Sequence, residues 1–185
     1  AIRSAERLGI PPVPAEMFQH AVEMLVRANK EHVPRENRGD LYIRPQCFGW
    51  DPVLGLGTGE RFFFTVSGNP VGDYFRGGFT AKPFLVSDNQ CRATPGGTGN
   101  IKTGGNYGAT NAIARAAKAK GFAEVLYLDP TFTRPQEFGA ANLFWVHDGR
   151  LYTPPLDDGM VLAGITRDSI MEIARRMLDI QVHEE

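Results

Sequence analysis

The chain has 185 residues, 42% hydrophobic and 22% charged, with a formal net charge of −1. This is the balance of an ordinary globular protein; it gives no electrostatic ground for binding nucleic acid or an anionic membrane, and no apolar run reaches the roughly 18 residues of a membrane span. Two cysteines, Cys47 and Cys91, and four scattered histidines form neither a metal-ligand spacing nor a disulfide framework, so the thiols read as reduced and the protein as cytoplasmic, without a metal.

Ala1 to Leu8 reads as the tail of a helix, ended by Gly9 and the Pro11-Pro12 pair. A second helix is expected from about Ala15 to Glu31, with Phe18, Val22, Leu25 and Val26 as its buried stripe. Leu41 to Arg44 alternates as a strand does, and Arg61 to Val66 is a second strand. A break then runs from Asn69-Pro70 to Gly77-Gly78, where a double glycine makes a natural linker. The expected division is 1–75, a linker at 76–80, and 81–185. In the second part, Phe84 to Val86 starts a strand, a glycine-rich loop follows, and one helix is expected from about Asn106 to Lys120, ended by Gly121. Glu124 to Leu128 is a strand. Asn142–His147 and Leu151–Thr153 flank the hairpin signal Asp148-Gly149. A helix over about Arg167 to Leu178 and a strand over Gln181 to Glu184 complete the chain. This mixture of hairpins and isolated helices predicts an α+β class with a mixed sheet, not repeated βαβ units.

Lys102 stands in the run Thr94-Pro-Gly-Gly-Thr-Gly-Asn-Ile-Lys-Thr-Gly-Gly-Asn-Tyr107-Gly108. Glycines on both sides let backbone pass close to something bulky, which suits a lysine amine reaching a flat cofactor. Ile101 replaces the glycine that a phosphate-binding P-loop needs before its lysine, so that motif fails. A mobile loop with a solvated lysine is the competing reading. Tyr107 opens the next helix, where a phenol either bonds what Lys102 holds or simply packs. Glu137, before an apolar strand, reads either as a cofactor-pairing carboxylate or as a solvent-facing loop residue. In Leu162-Ala-Gly-Ile165-Thr166-Arg-Asp, Thr166 is a good N-cap, and the Ile165 and Thr166 amides at a helix start make either an anion site or ordinary capping. An amine, a phenol, a carboxylate and an anion site together match pyridoxal 5′-phosphate. Schiff-base chemistry needs a neutral amine, so Lys102 is expected to be buried beside Tyr107 and Glu137.

Thr98-Gly-Asn-Ile-Lys-Thr-Gly-Gly-Asn-Tyr107, Glu137-Phe-Gly-Ala-Ala-Asn-Leu-Phe144, Thr153-Pro-Pro155 and Leu162-Ala-Gly-Ile-Thr-Arg-Asp168 resemble the branched-chain amino-acid aminotransferases. Leu41-Tyr-Ile-Arg-Pro45 and Asn69-Pro-Val-Gly-Asp-Tyr-Phe75 are similar to small-domain motifs of the same family. The resemblance implies the two-domain, D-amino-acid-aminotransferase-like fold of type IV pyridoxal enzymes, with 1–75 in the small domain and 81–185 in the large one. It implies transamination between Leu, Ile or Val and 2-oxoglutarate, by a homodimer whose partners are small amino acids and 2-oxo acids. Lys102 would bear the Schiff base and shuttle the proton. Tyr107 would bond the cofactor's phenolic oxygen, and Glu137 would pair with its ring nitrogen. Ile165 and Thr166 would bind its phosphate. Tyr42, Arg44 and Tyr74 would line the substrate side, with Arg44 gripping the distal carboxylate of glutamate. A D-amino-acid aminotransferase, an aminodeoxychorismate lyase and a non-catalytic fragment are the alternatives.

Two positions depart from the pattern. Ala163 stands where proline is usual before Gly164, and Ala140 stands where some relatives have threonine. The resemblance also implies a phosphate-binding arginine just before Ala1 and a threonine in a Gly-Thr-Ala turn beyond Glu185. The chain therefore resembles the middle of an aminotransferase, and the segment alone is expected to hold the cofactor weakly.

Overall fold

The computed structural model describes residues 1–36, 38–57, 59–72, 78 and 80–185, and its chain divides into two compact units, Ala1–Thr80 and Ala81–Glu185. In the first unit, α1 (Ile2–Arg7) and α2 (Ala15–Ala28) precede a hairpin of β1 (Asp40–Gly49) and β2 (Phe62–Val71). The two strands pair antiparallel in register, with Tyr42 opposite Asn69 and Arg44 opposite Ser67. The helix lies on the sheet through Phe18, whose ring stacks on Phe64 with centroids 5.7 Å apart.

Both strands outrun the sequence expectation. β1 continues through Pro45, which lies opposite Val66, and β2 continues through Asn69-Pro70-Val71 instead of breaking there. A two-stranded sheet has an edge on each side, so a proline's missing N–H need not interrupt the ladder. Of the expected 76–80 linker, residues 76, 77 and 79 lie outside the described residues, as does Tyr74.

The second unit holds two small mixed sheets. In the first, β3 (Phe84–Ser87) runs parallel to β4 (Glu124–Leu128), which pairs antiparallel with β5 (Pro135–Phe138). In the second, β6 (Trp145–His147) pairs antiparallel with β7 (Arg150–Thr153), which runs parallel to β8 (Val182–Glu184). Each parallel pair needs a crossover. The first crossover carries the glycine loop, α3 (Gly104–Gly108) and α4 (Asn111–Ala119); the second carries the 154–164 segment and α5 (Ile165–Met177). Connections of the βαβ kind are thus present after all, inside mixed sheets. The single helix expected over 106–120 is two, parted at Ala109-Thr110, with Gly108 closing the first.

The core of this unit sits between α4 and β4. Ala117, Val125 and Tyr127 are buried there, with Leu85, Ile113 and Phe122 packed around them. The small residues of α4 allow that approach. The loop between β3 and α3 is locked down more tightly still: a Cβ on Gly99 would lie 2.3 Å from the Met160 carbonyl oxygen and 2.5 Å from the Ala93 Cβ. Backbone passes so close to backbone that only glycine fits. Gly99→Ala must push the loop off the 160 segment, an overpacking that costs about 1–3 kcal/mol. The urea midpoint of the variant should fall accordingly with an unchanged m-value; a wild-type midpoint would mean that the loop yields freely.

Candidate active site

Four segments of the second unit line one cavity of about 360 Å³. They are the Lys102 loop with α3, the β5 arm with the residues after it, the 160–164 segment, and the start of α5. Lys102, Tyr107, Glu137, Ile165 and Thr166 all line it.

The Lys102 loop is held from inside by one buried amide. Asn106 donates through Nδ2 to the carbonyls of Thr98 (2.7 Å) and Ile101 (3.0 Å), while the Thr98 hydroxyl donates to Asn106 Oδ1 (2.6 Å). Ile101 is buried, so the residue before the lysine is pinned by packing. Lys102 itself is exposed, contrary to the sequence expectation. The reason is the glycines after it: a Cβ on Gly104, Gly105 or Gly108 would meet nothing within 4 Å, so no wall covers that side. The amine is nevertheless directed. Lys102 Nζ donates to Tyr107 Oη at 2.5 Å and lies 4.9 Å from the tyrosine ring centroid. Tyr107 sits on α3, five residues on, where one short turn brings phenol and amine together.

Of the two readings of Glu137, the solvent-facing loop is removed. The residue lies within strand β5, opposite Tyr127 of β4, and is buried. Its Oε1 accepts hydrogen bonds from Arg92 Nη2 and from the Leu162 amide (3.2 Å), and its Oε2 accepts one from Asn142 Nδ2 (3.1 Å). Burial pushes this carboxyl up to about 7, although Arg92, the Leu162 amide, Lys102 and Arg167 each pull it down.

Asn142 also donates to the Leu162 carbonyl (2.9 Å), so it joins the carboxylate arm to the segment that enters α5. Gly164 is the N-cap of α5, in extended conformation and without a side-chain cap. This replaces the expected cap at Thr166, which lies inside the helix. Glycine is required at this cap: a Cβ at 164 would fall 2.2 Å from Asn142 Oδ1. Ile165 and Thr166 are then the first helical residues, whose amides have no intrahelical acceptor. Free amides and the positive end of the helix dipole thus both face the cavity's edge at this turn. Arg167 follows, buried, donating to the Pro154 carbonyl and to Glu184 Oε2, both at 2.8 Å.

Tyr42 and Arg44 belong to the first unit, on one face of β1 two residues apart. Arg44 Nη2 lies 3.4 Å from Tyr42 Oη and its guanidinium 5.2 Å from that ring. Tyr74 lies outside the described residues. Sequence reasoning missed Arg92, Asn106 and Asn142. None carries a spacing signal: Arg92 is one arginine in a polar loop, and the two asparagines look like turn residues.

The family described as Amino-transferase class IV matches residues 2–185. Branched-chain amino acid aminotransferase 2, chloroplastic, of Humulus lupulus is 42% identical over 181 residues, which is 97% of this chain and 44% of that protein. The chain thus spans less than half the length of this curated relative. The crystal structure of branched-chain aminotransferase from the thermophilic archaeon Thermoproteus uzoniensis with norvaline superposes with a TM-score of 0.83 at 30% identity, covering all of this chain and 59% of that one. The branched-chain amino acid aminotransferase from Thermobaculum terrenum in its PLP-form (holo-form) does so with a TM-score of 0.80 at 25% identity, covering 99% and 57%. The α+β architecture is accordingly that of the fold-type IV enzymes, and the chain belongs to the class IV aminotransferase family.

Proposed function

We propose that the chain carries the cofactor centre of a pyridoxal 5′-phosphate-dependent transaminase acting between Leu, Ile or Val and 2-oxoglutarate. The observation that carries this reading is a single cavity lined by a lysine amine, a phenol, a buried carboxylate and a helix start. The names of its relatives support the branched-chain substrates over the D-amino-acid and aminodeoxychorismate alternatives.

The donor set fits the cofactor group by group. Lys102 would hold it through its amine, Tyr107 would bond its phenolic oxygen, and Glu137 would face its ring nitrogen. The Ile165 and Thr166 amides, with the Thr166 hydroxyl, would take its phosphate. When bound, pyridoxal phosphate supplies an electron sink for the charge left at an amino acid's α-carbon. Tyr107 already accepts a hydrogen bond from Lys102 Nζ, so the amine is oriented and the phenolic O–H remains able to donate. Lys102 Nζ would be the group that takes the α-proton. Glu137, in its ionised form, would favour positive charge at the ring nitrogen. Tyr42, Arg44 and Tyr74 would form the substrate side, the guanidinium gripping a distal carboxylate in bidentate fashion.

Among the described residues no helix is long and apolar enough to cross a membrane. We further propose a homodimer that works in the cytoplasm. The resemblance supports the dimer and the free Cys47 and Cys91 support a reducing compartment, while the hop relative is named chloroplastic. Sedimentation of the full-length holoenzyme should give twice the chain mass; a fully active monomer would exclude the dimer.

Lys102→Ala in the full-length protein should abolish both turnover and the yellow absorbance of lysine-bound cofactor. Retention of wild-type transamination would end the assignment. Glu137→Gln should still bind cofactor but lose about 10- to 100-fold in kcat, the worth of a charged hydrogen bond. The same variant reports the buried carboxyl in cofactor-free protein. A carboxyl held near 7 in the fold and near 4.5 when unfolded binds its proton more tightly in the folded state. Its contribution is therefore full below pH 4.5 and is lost as pH rises towards 7. Wild-type stability, taken relative to Glu137→Gln, should fall across that window by at most about 1.4 kcal/mol per pH unit. A flat difference would show that the fold does not raise this carboxyl.

A further inference from the structure

Arg92 lies in the loop after β3, with 3% of its side chain exposed. Its Nη2 reaches three acceptors on three separate segments: the Gly99 carbonyl (3.0 Å), the Met160 carbonyl (3.0 Å) and Glu137 Oε1. Gly99 belongs to the lysine loop, Glu137 to the carboxylate strand, and Met160 to the segment that leads into the helix start. Arg92 lines the same cavity. We infer that Arg92 is a positioning residue: one guanidinium ties together the segments that bear Lys102, Glu137 and the turn into α5, and supplies the counter-charge that favours the ionised form of Glu137. The inference rests on the proposal that Lys102 and Glu137 hold pyridoxal phosphate.

Two physical arguments support it. Burying a guanidinium is costly, and packed apolar side chains fill such a space at least as well, so stability alone does not call for an arginine here. The guanidinium is planar and permanently charged, so it holds Nη2 and its two hydrogens in a fixed direction among the three acceptors, whereas a lysine ammonium is a rotatable point charge on a shorter reach. The second argument concerns charge. Glu137 is flanked by Tyr127 across the strand pair, by the neutral Asn142 amide and Leu162 N–H, and by the more distant cations Lys102 on the glycine loop and Arg167 on α5. Arg92 is the cation in direct contact. Without it, burial would leave the carboxyl neutral at neutral pH, unable to hold positive charge on a ring nitrogen.

The test uses full-length protein with Arg92→Gln and Arg92→Lys. In cofactor-free samples, the Glu137 carboxyl is titrated by NMR of carboxyl-labelled glutamate, and amide exchange is followed over Thr98 to Asn106. Arg92→Gln should raise the Glu137 midpoint by at least about one pH unit. Arg92→Lys should leave the midpoint within about half that shift, because the charge stays. Both should speed exchange in the loop, because the fixed placement of Nη2 among its three acceptors is lost. In the holoenzyme, Arg92→Gln should lower kcat more than it raises KM for the amino acid and should move the acid limb of kcat upward. Wild-type midpoint and loop exchange in Arg92→Gln would overturn the inference. If Arg92→Gln fails to fold, Arg92→Lys decides: wild-type exchange over Thr98 to Asn106 would overturn it. Loss of yellow absorbance in Lys102→Ala tests the cofactor assignment separately, since neither cofactor-free measurement depends on it.

Discussion

A carboxylate removed from water must be given charge or hydrogen bonds from the protein, and the arrangement around Glu137 answers that requirement from three directions. Arg92, the Leu162 amide and Asn142 each donate to it, and each comes from a different stretch of chain. Satisfying one buried group thereby fixes the relative positions of the glycine loop, the β5 strand and the entrance to α5. The same geometry that meets the desolvation cost also assembles the cavity. The carboxyl remains poised near neutrality, and residues so perturbed inside a cavity are where function concentrates.

Lys102 and the helix start depend on that frame in different ways. The amine is exposed, so its direction comes from Tyr107 and from the loop beneath it, which Asn106 closes and Ile101 anchors. The helix start depends on close contact: Gly164 leaves room for Asn142, which ties the turn to Glu137. Side-chain absence thus does two separate jobs. At Gly99 and Gly164 it lets backbone meet its neighbours, and at Gly104 and Gly105 it leaves open space beside the amine.

Much of this was legible in the sequence. The glycine run, the Asp148-Gly149 hairpin, and the helix beginning near Thr166 all follow from local rules, and Lys102, Tyr107, Glu137, Ile165 and Thr166 stand out by residue type. What local rules could not give was set by distant partners. Glu137 is paired to Tyr127 across a strand whose Pro135 start resembles a loop, so its burial is a tertiary fact. Pro45 and Pro70 look like strand breakers until the sheet proves, among the described residues, to have two strands. Arg92 is ordinary by composition, and only its three acceptors make it conspicuous.

Those acceptors also bear on how the chain folds. Arg92 is separated from Glu137 by 45 residues and from Met160 by 68, whereas the loop closed by Asn106 spans 8 or fewer. Short closures form early and cheaply, while contacts across long separations must wait until the intervening chain is already compact. The loop that bears the lysine can therefore take shape within its own segment. The ionic junction closes only once the first crossover and β5 have been laid down, and its tie to Met160 waits for the segment after β7. The assembled cavity is for that reason a late product of folding, reached after most of the secondary structure around it is in place.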